Sequence, residues 1–161
     1  TRETKDRVKE SIFNSISTDL YEATVLDLFS GSGSLGIESI SRGSISCDFV
    51  DKDRKAIDTV RKNILKLKIE NRCEIHLSDY ESFLDKTYRE YDIVLLDPPY
   101  KLDVIDEIIK TIARKKLLTK NGVIVCLYSK NNNLKPENNG IIEYKKKTIG
   151  ITNVSYLKWG I

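Results

Sequence analysis

Apolar positions along the chain switch between a helical and a strand-like spacing, and each switch marks an element. In residues 5–16, Val8, Ile12, Phe13 and Ile16 share one stripe of an amphipathic helix, with Thr4 where its N-cap belongs. Val25, Leu26, Leu28 and Phe29 then run together, as in a strand buried on both faces of a parallel sheet. Leu35, Ile37 and Ile40 return to helical spacing, which Gly43 stops. The alternation repeats. Residues 46–50 read as a second strand ending in Asp51, and Asp53 caps a helix through Ala56, Val60, Ile64 and Leu67. Residues 73–77 form a third strand, followed by a short helix holding Phe83 and Leu84. Residues 91–96 form a fourth, followed by a helix over 104–112. A fifth strand spans 122–128 and a polar loop with Pro136 spans 131–140. Residues 141–149 and 151–159 flank Gly150 as a hairpin closing the sheet edge. This is an α/β pattern in one domain over residues 1–161, with no repeat or interdomain linker.

The chemistry gathers where strands end. VLDLFSGSGSLG at residues 25–36 joins the first strand to its helix, and Gly31, Gly33 and Gly36 keep G-x-G-x-x-G spacing. Without Cβ atoms the glycines allow a tight turn and a close ligand, and the helix start offers it unpaired N–H groups. Dinucleotides use such a loop, and so does S-adenosylmethionine. Asp27 favours the second: a unit charge at ~4 Å and an effective dielectric of about 20 is worth about 4 kcal/mol, attracting a sulfonium or ammonium and repelling pyrophosphate. A capping or solvated Asp27 is the plainer alternative. Asp51 stands 20 positions after Gly31, where nucleotide-binding βαβ units place the acid that holds ribose hydroxyls. Asp79 follows the third strand and Asp97 the fourth, so four carboxylates mark the carboxyl edge of the sheet, where open α/β folds bind ligands.

Asp97-Pro98-Pro99-Tyr100 is the most specific signal. Two prolines remove two N–H donors and fix φ, leaving the Asp97 carboxylate and Pro98 carbonyl as free acceptors beside an aromatic ring. That corner suits a planar base with an exocyclic amino group, its hydrogens on the acceptors and Tyr100 stacked on the ring.

Composition narrows the rest. The chain has 161 residues, enough for a single core, and a net charge of +3, which permits a polyanionic partner without demanding one. Basic residues of the first helix and Lys145, Lys146 and Lys147 are candidate phosphate contacts, or else a solvated face and an edge guard. Cys47, Cys73 and Cys126 fall in or beside strands and read as buried reduced thiols. One histidine, His76, lies inside a strand, so no Ser-His-Asp triad or metal-ligand set assembles around it. No apolar run approaches a membrane span and no signal peptide opens the chain, which predicts a cytoplasmic location. The absence of methionine means that residues before Thr1 are to be expected.

VLDLFSGSG, FVDKD, SDY and DPPY together resemble the cofactor and target motifs of Rossmann-like S-adenosylmethionine-dependent methyltransferases, in order and spacing over nearly the whole chain. More narrowly, TKDRVKESIFN at residues 4–14, LFSGSGSLGIESISRG at 28–43 and LDPPY at 96–100 resemble the RsmD family, whose members methylate guanine N2 in small-subunit (16S) ribosomal RNA. The resemblance implies a seven-stranded, mostly parallel sheet with a reversed C-terminal hairpin and helices on both faces. It implies that Asp27, Gly31, Ser32 and Gly33 hold the methionine part of S-adenosylmethionine and Asp51 the ribose. Asp79 would meet the adenine amino group, with Lys52 and Tyr80 nearby, and Asp97, Pro98, Pro99 and Tyr100 would hold the target base. The expected partner is ribosomal RNA or the small subunit, with no metal, and the expected state a monomer. The family's basic N-terminal β-hairpin would stand ahead of the TKDR segment, before Thr1, and its absence from the molecule would bear on RNA binding and not on cofactor binding. Two other readings stay open: adenine N6 methylation in DNA, since the corner serves any planar amino group, and a non-catalytic RNA-binding assembly factor. An NAD-dependent oxidoreductase fits the glycine spacing but not Asp27 and the DPPY corner.

Overall fold

A computed structural model describes residues 2–99 and 103–160, with side chains from Thr4 onward. Helix α1 (Arg2–Ser15) leads into β1 (Thr24–Leu28), α2 (Ser34–Ser41), β2 (Ser46–Asp51), α3 (Arg54–Leu67), β3 (Cys73–Leu77), α4 (Tyr80–Lys86) and β4 (Tyr91–Leu96). Then follow α5 (Ile105–Lys115), β5 (Leu118–Ser129), β6 (Glu137–Asn138), β7 (Ile141–Ile149) and β8 (Thr152–Trp159). The strands form one sheet in the order β3-β2-β1-β4-β5-β8-β7-β6. β1 to β5 are parallel neighbours, and β8 and β7 return antiparallel as the expected hairpin.

Continuous apolar runs are explained by a sheet covered on both faces. On one, Val25, Cys47, Phe49, Ile93, Leu95, Val125 and Tyr156 pack against Ile12 and Phe13 of α1, Ile16 just after it, Ile40 of α2, and Val60 and Ile64 of α3. On the other, Leu26, Leu28, Val50, Val94, Leu96 and Cys126 pack against Phe83 and Leu84 of α4 and Ile105, Ile108, Ile109 and Ile112 of α5. Among the described residues no helix is long and apolar enough to cross a membrane.

The sheet has eight strands where the resemblance implied seven. The extra one lies in the polar loop: Glu137 and Asn138 pair with Ile142 and Ile141 across Asn139 and Gly140, whose φ values of 54° and 93° make the primed turn that an Asn-Gly pair favours. β5 also starts earlier than the spacing predicted, because Leu118 pairs with Tyr91 across a register shift before Val123 resumes the ladder. Lys145 of β7 reaches back to α1, where its Nζ donates to Ser15 Oγ at 3.2 Å.

Asp48 breaks the apolar pattern of β2. Only 3% exposed, it accepts from Tyr91 Oη at 2.6 Å and from Arg89 Nη1 at 3.2 Å on both oxygens, while the same nitrogen reaches Glu74 at 2.8 Å. Burial still holds its carboxyl above the usual range. Glu74 and His76 bring ligand atoms near Asp48, but the Arg89 cation already occupies the two carboxylates. His76 is half-buried and meets the Phe83 ring edge-on at 5.0 Å.

Candidate active site

Strand order reverses between β1 and β4, and in open α/β sheets a crevice for ligands opens at the carboxyl ends of such a pair. β1 delivers the glycine turn to one wall of the crevice, and β4 delivers Asp97-Pro98-Pro99 to the other.

The glycine turn is strained and heavily tethered. Phe29, Gly31 and Gly33 have φ of 66°, 55° and 85°. For Phe29 this conformation costs on the order of 1–3 kcal/mol, which the surroundings must over-determine. They do so through Ser30 N–H to the Val50 carbonyl at 2.9 Å, Gly33 N–H to the Ser30 carbonyl at 2.8 Å, and Gly31 N–H to Asp51 Oδ2 at 2.9 Å. A Cβ at Gly31 would meet nothing within 4 Å, so this point of the backbone faces open space. Ser32 is exposed, and its carbonyl accepts from Asn63 Nδ2 at 3.3 Å.

Asp27 takes the capping role that the sequence offers as its plainer alternative. It is 1% exposed, and its Oδ2 accepts from Gly36 N–H at 2.9 Å, so it satisfies an amide in the first turn of α2 from beneath the loop. Gly33 caps that helix without a side-chain bond, and Asp27 supplies one instead. Desolvation drives its carboxyl well above the usual range, and the charges of Asp97 and Asp51 push the same way. A carboxyl so poised is a weaker cation trap than the simple Coulomb argument supposes. The accessible charge of the crevice therefore rests on Asp51 and Asp97.

Asp51 ends β2 half-buried, with Oδ2 on the turn amide and Oδ1 accepting from Asp53 N–H at 2.9 Å; Lys52 beside it is exposed. Asp79 is the exposed N-cap of α4, accepting from Ser82 N–H at 2.7 Å, which lowers its carboxyl below the usual range. Tyr80 lies half-buried against Phe29 with ring centroids 5.4 Å apart, an apolar surface beside the turn. Phe29, which the sequence places in the first strand, falls just after β1, and an aromatic residue there gives no sign of its positive φ. Ser30 gives no sequence signal either: it is 9% exposed, and its Oγ has no hydrogen-bond partner among the described residues.

On the opposite wall, Asp97 leaves β4 exposed while Pro98 is buried and Pro99 exposed. Water reaches the Asp97 carboxyl, yet the protein around it displaces enough solvent to push the pKa up to about 6, opposed by the charge of Lys5 on α1. Tyr100 lies outside the described residues. Beyond the prolines a small cleft of about 20 Å³ lies between the start of α5 and the loop after β5, lined by Asp103, Ile105, Tyr128, Asn132, Asn133 and Leu134. The crevice thus joins a backbone turn open to a ligand, an aromatic wall, and the carboxylates of Asp51 and Asp97.

Known proteins share the sequence and the fold of this chain. The family described as Conserved hypothetical protein 95 matches residues 1–158. The chain is 37% identical to the Bacillus subtilis (strain 168) protein YlbH over 161 residues, covering 98% of this chain and 88% of that one. It is 35% identical over 150 residues to Ribosomal RNA small subunit methyltransferase D of Buchnera aphidicola subsp. Baizongia pistaciae, covering 91% and 76%. Among solved structures, a conserved hypothetical protein from Streptococcus pyogenes superposes with a TM-score of 0.88 at 37% identity, covering 94% and 96%.

Proposed function

The chain belongs to the Conserved hypothetical protein 95 family, and from that premise we propose that it transfers the methyl group of S-adenosylmethionine to the exocyclic N2 amino group of a guanine in small-subunit ribosomal RNA. The observation that carries the proposal is the switch-point crevice with the glycine turn on one wall and the Asp97-Pro98-Pro99 corner on the other. The relative from Buchnera, named for methylation of the small-subunit RNA, supports the substrate class.

S-adenosylmethionine supplies an electrophilic methyl group, so the protein need only bind, orient and accept hydrogens. Backbone groups of Gly31, Ser32 and Gly33 would hold the methionine portion, Asp51 the ribose hydroxyls, and Phe29, Tyr80, Lys52 and Asp79 would surround the adenine. Asp27 acts from beneath by fixing α2 against the turn.

On the opposite wall, the amino lone pair of guanine is delocalised into its ring and needs help to become nucleophilic. The Asp97 carboxylate and the Pro98 carbonyl accept its two hydrogens and favour a pyramidal nitrogen. Proline at both following positions keeps N–H donors away from those acceptors. Tyr100 is assigned the stacking role. Orientation of this kind lowers a barrier by roughly 7–11 kcal/mol, so no strong base is required. A carboxyl with a pKa of about 6 is ionised at neutral pH and can take the proton that the methylated nitrogen releases.

The test is transfer of labelled methyl to undermethylated small subunits, their naked RNA and duplex DNA, followed by nucleoside analysis. Label in N2-methylguanosine supports the proposal; label in N6-methyladenine, or none despite cofactor binding, overturns it. Asp97→Ala should abolish transfer and leave cofactor binding intact, and equal loss of both would remove the assigned role.

A further inference from the structure

Positive charge is not spread evenly over this chain. The β7–β8 hairpin holds Lys145, Lys146, Lys147 and Lys158 against one acid, Glu143, so its charge of +3 is as large as that of the entire chain. Several of these groups are engaged. The Glu143 carboxylate accepts from Ser155 Oγ, Lys145 donates to Ser15 Oγ and lies 5.5 Å over the Tyr156 ring, and Lys158 Nζ lies 4.9 Å over the Tyr144 ring. Lys146 and Lys147 are exposed and make no hydrogen bond or ion pair among the described residues. Their strand is also open: β6 pairs only with Ile141 and Ile142, and beyond that point no described strand covers the outer side of β7. Tyr144 stands on this open stretch, 40% exposed.

Register sets this edge beside the crevice. Ser129, at the carboxyl end of β5, faces Thr152, which faces Ile149, so β7 ends level with the strand ends that open the crevice. Three strand spacings separate β4 from β7, about 14 Å in all. Between them Lys130, exposed, donates its N–H to the Ile151 carbonyl at 2.9 Å beside the hairpin turn. A Cβ at Gly150 of that turn would meet Thr4 Cγ2 at 3.5 Å, which brings the start of α1 to the same place, and the charge of the next residue, Lys5, acts on Asp97. Positive groups therefore lead from Asp97 through Lys5 and Lys130 to Lys147 and Lys146. Asp6 and Glu10 dilute the charge of α1, so the hairpin dominates the surface.

Lysines on an open edge also deter pairing by another strand, but an exposed aromatic ring among them has no part in that task. Cations that track a backbone and a ring that takes a base are what single-stranded nucleic acid requires. We propose that Lys146 and Lys147 bind phosphates of the RNA strand flanking the target guanine while Tyr144 stacks on one of its bases, so that the open edge of β7 holds the substrate whose base enters the crevice. The inference rests on the proposed transfer to RNA and adds the surface that anchors the strand.

The experiment measures binding of a small-subunit RNA fragment by fluorescence anisotropy across salt concentrations, together with methyl-transfer kinetics. In Lys146→Gln/Lys147→Gln, RNA affinity should fall and KM for RNA rise by roughly 10-fold, and the slope of log affinity against log salt should flatten by about 1.4, the share of two phosphates on a single strand. An oligouridylate of the same length should lose as much, because phosphate contacts are blind to sequence. Cofactor affinity and kcat at saturating RNA should keep their wild-type values, and Lys146→Arg/Lys147→Arg should restore RNA affinity. Tyr144→Leu should weaken single-stranded RNA by roughly 10-fold and leave the salt slope unchanged. A wild-type slope and KM in the double Gln variant overturn the assignment, and self-association of that variant with RNA affinity intact would show an edge guard only. Transfer to adenine of duplex DNA, with equal loss of DNA binding in the double variant, overturns the guanine reading and the RNA assignment together. Absence of transfer with RNA binding still dependent on the two lysines overturns the transfer reading alone.

Discussion

Replacing Asp97 by Asn tests the corner and its electrostatics together. Asn keeps the shape of the side chain and one acceptor oxygen, but loses the charge and puts a donor in place of the second oxygen. Burial raises the Asp97 pKa from 3.8 to about 6, so the folded protein holds the charged carboxylate against a penalty. At about 1.4 kcal/mol for each tenfold change in the proton equilibrium, that penalty is at most about 3 kcal/mol. Water screens an exposed group, so about 1 kcal/mol is the expected share. The sign follows from proton counting: between pH 3.8 and about 6 the folded state holds more protons than the unfolded state, so wild-type stability falls as pH rises through this window. Asp97→Asn escapes that loss. Its Tm should exceed the wild-type value by roughly 2–4 °C at pH 8, and the difference should vanish near pH 4. Its kcat should fall by roughly 100-fold or more, as when one preorganised group is removed from an active site. Wild-type kcat/KM should in turn decline below pH 6, where the carboxylate gains its proton. Differential scanning fluorimetry across pH, paired with methyl-transfer rates, measures both. A Tm difference independent of pH, or a variant that keeps its rate, would refute the reasoning.

Three further outcomes follow from the geometry. Gly36→Ala drives a methyl group into Phe49, Cys47 Sγ and Asp27 Oδ2, so urea unfolding should show a loss of roughly 1–3 kcal/mol. Tyr91→Phe removes a donor from buried Asp48 and should cost about 1–3 kcal/mol in the same assay while leaving cofactor affinity unchanged. S-adenosylmethionine at about 100 times its Kd should stabilise the protein by about 2.7 kcal/mol, a Tm rise of roughly 5–10 °C, whereas NADH should give none.

Much of the scaffold was legible because the centre of the sheet is buried on both faces: the fourth strand is bounded where its apolar run begins and ends, and the third, at the sheet edge, is read from alternation instead. Asp53 and Asp79 were legible differently. Asp53 caps α3 as its place predicts; Asp79 caps α4 as well, alongside the role toward adenine that the resemblance implies. Local sequence cannot separate a capping carboxylate from a ligand-binding one, because both follow a strand and precede a helix. Asp27 shows the same limit across a longer span, since its partner amide is nine positions on and only the folded turn brings them together. β6 was hidden for another reason: two residues carry no periodicity, and the Asn139-Gly140 turn was the single trace it left.

The tethers on the glycine turn bear on how a ligand is greeted. Asp51 holds Gly31, Asp27 holds Gly36, Asn63 holds Ser32, and Lys9 donates to Ser34 Oγ at 3.2 Å. The loop is therefore shaped before anything binds, and little conformational freedom remains to be surrendered on arrival. Affinity at such a site is governed by fit and departure, and the strain stored at Phe29 belongs to the fold, not to the binding event.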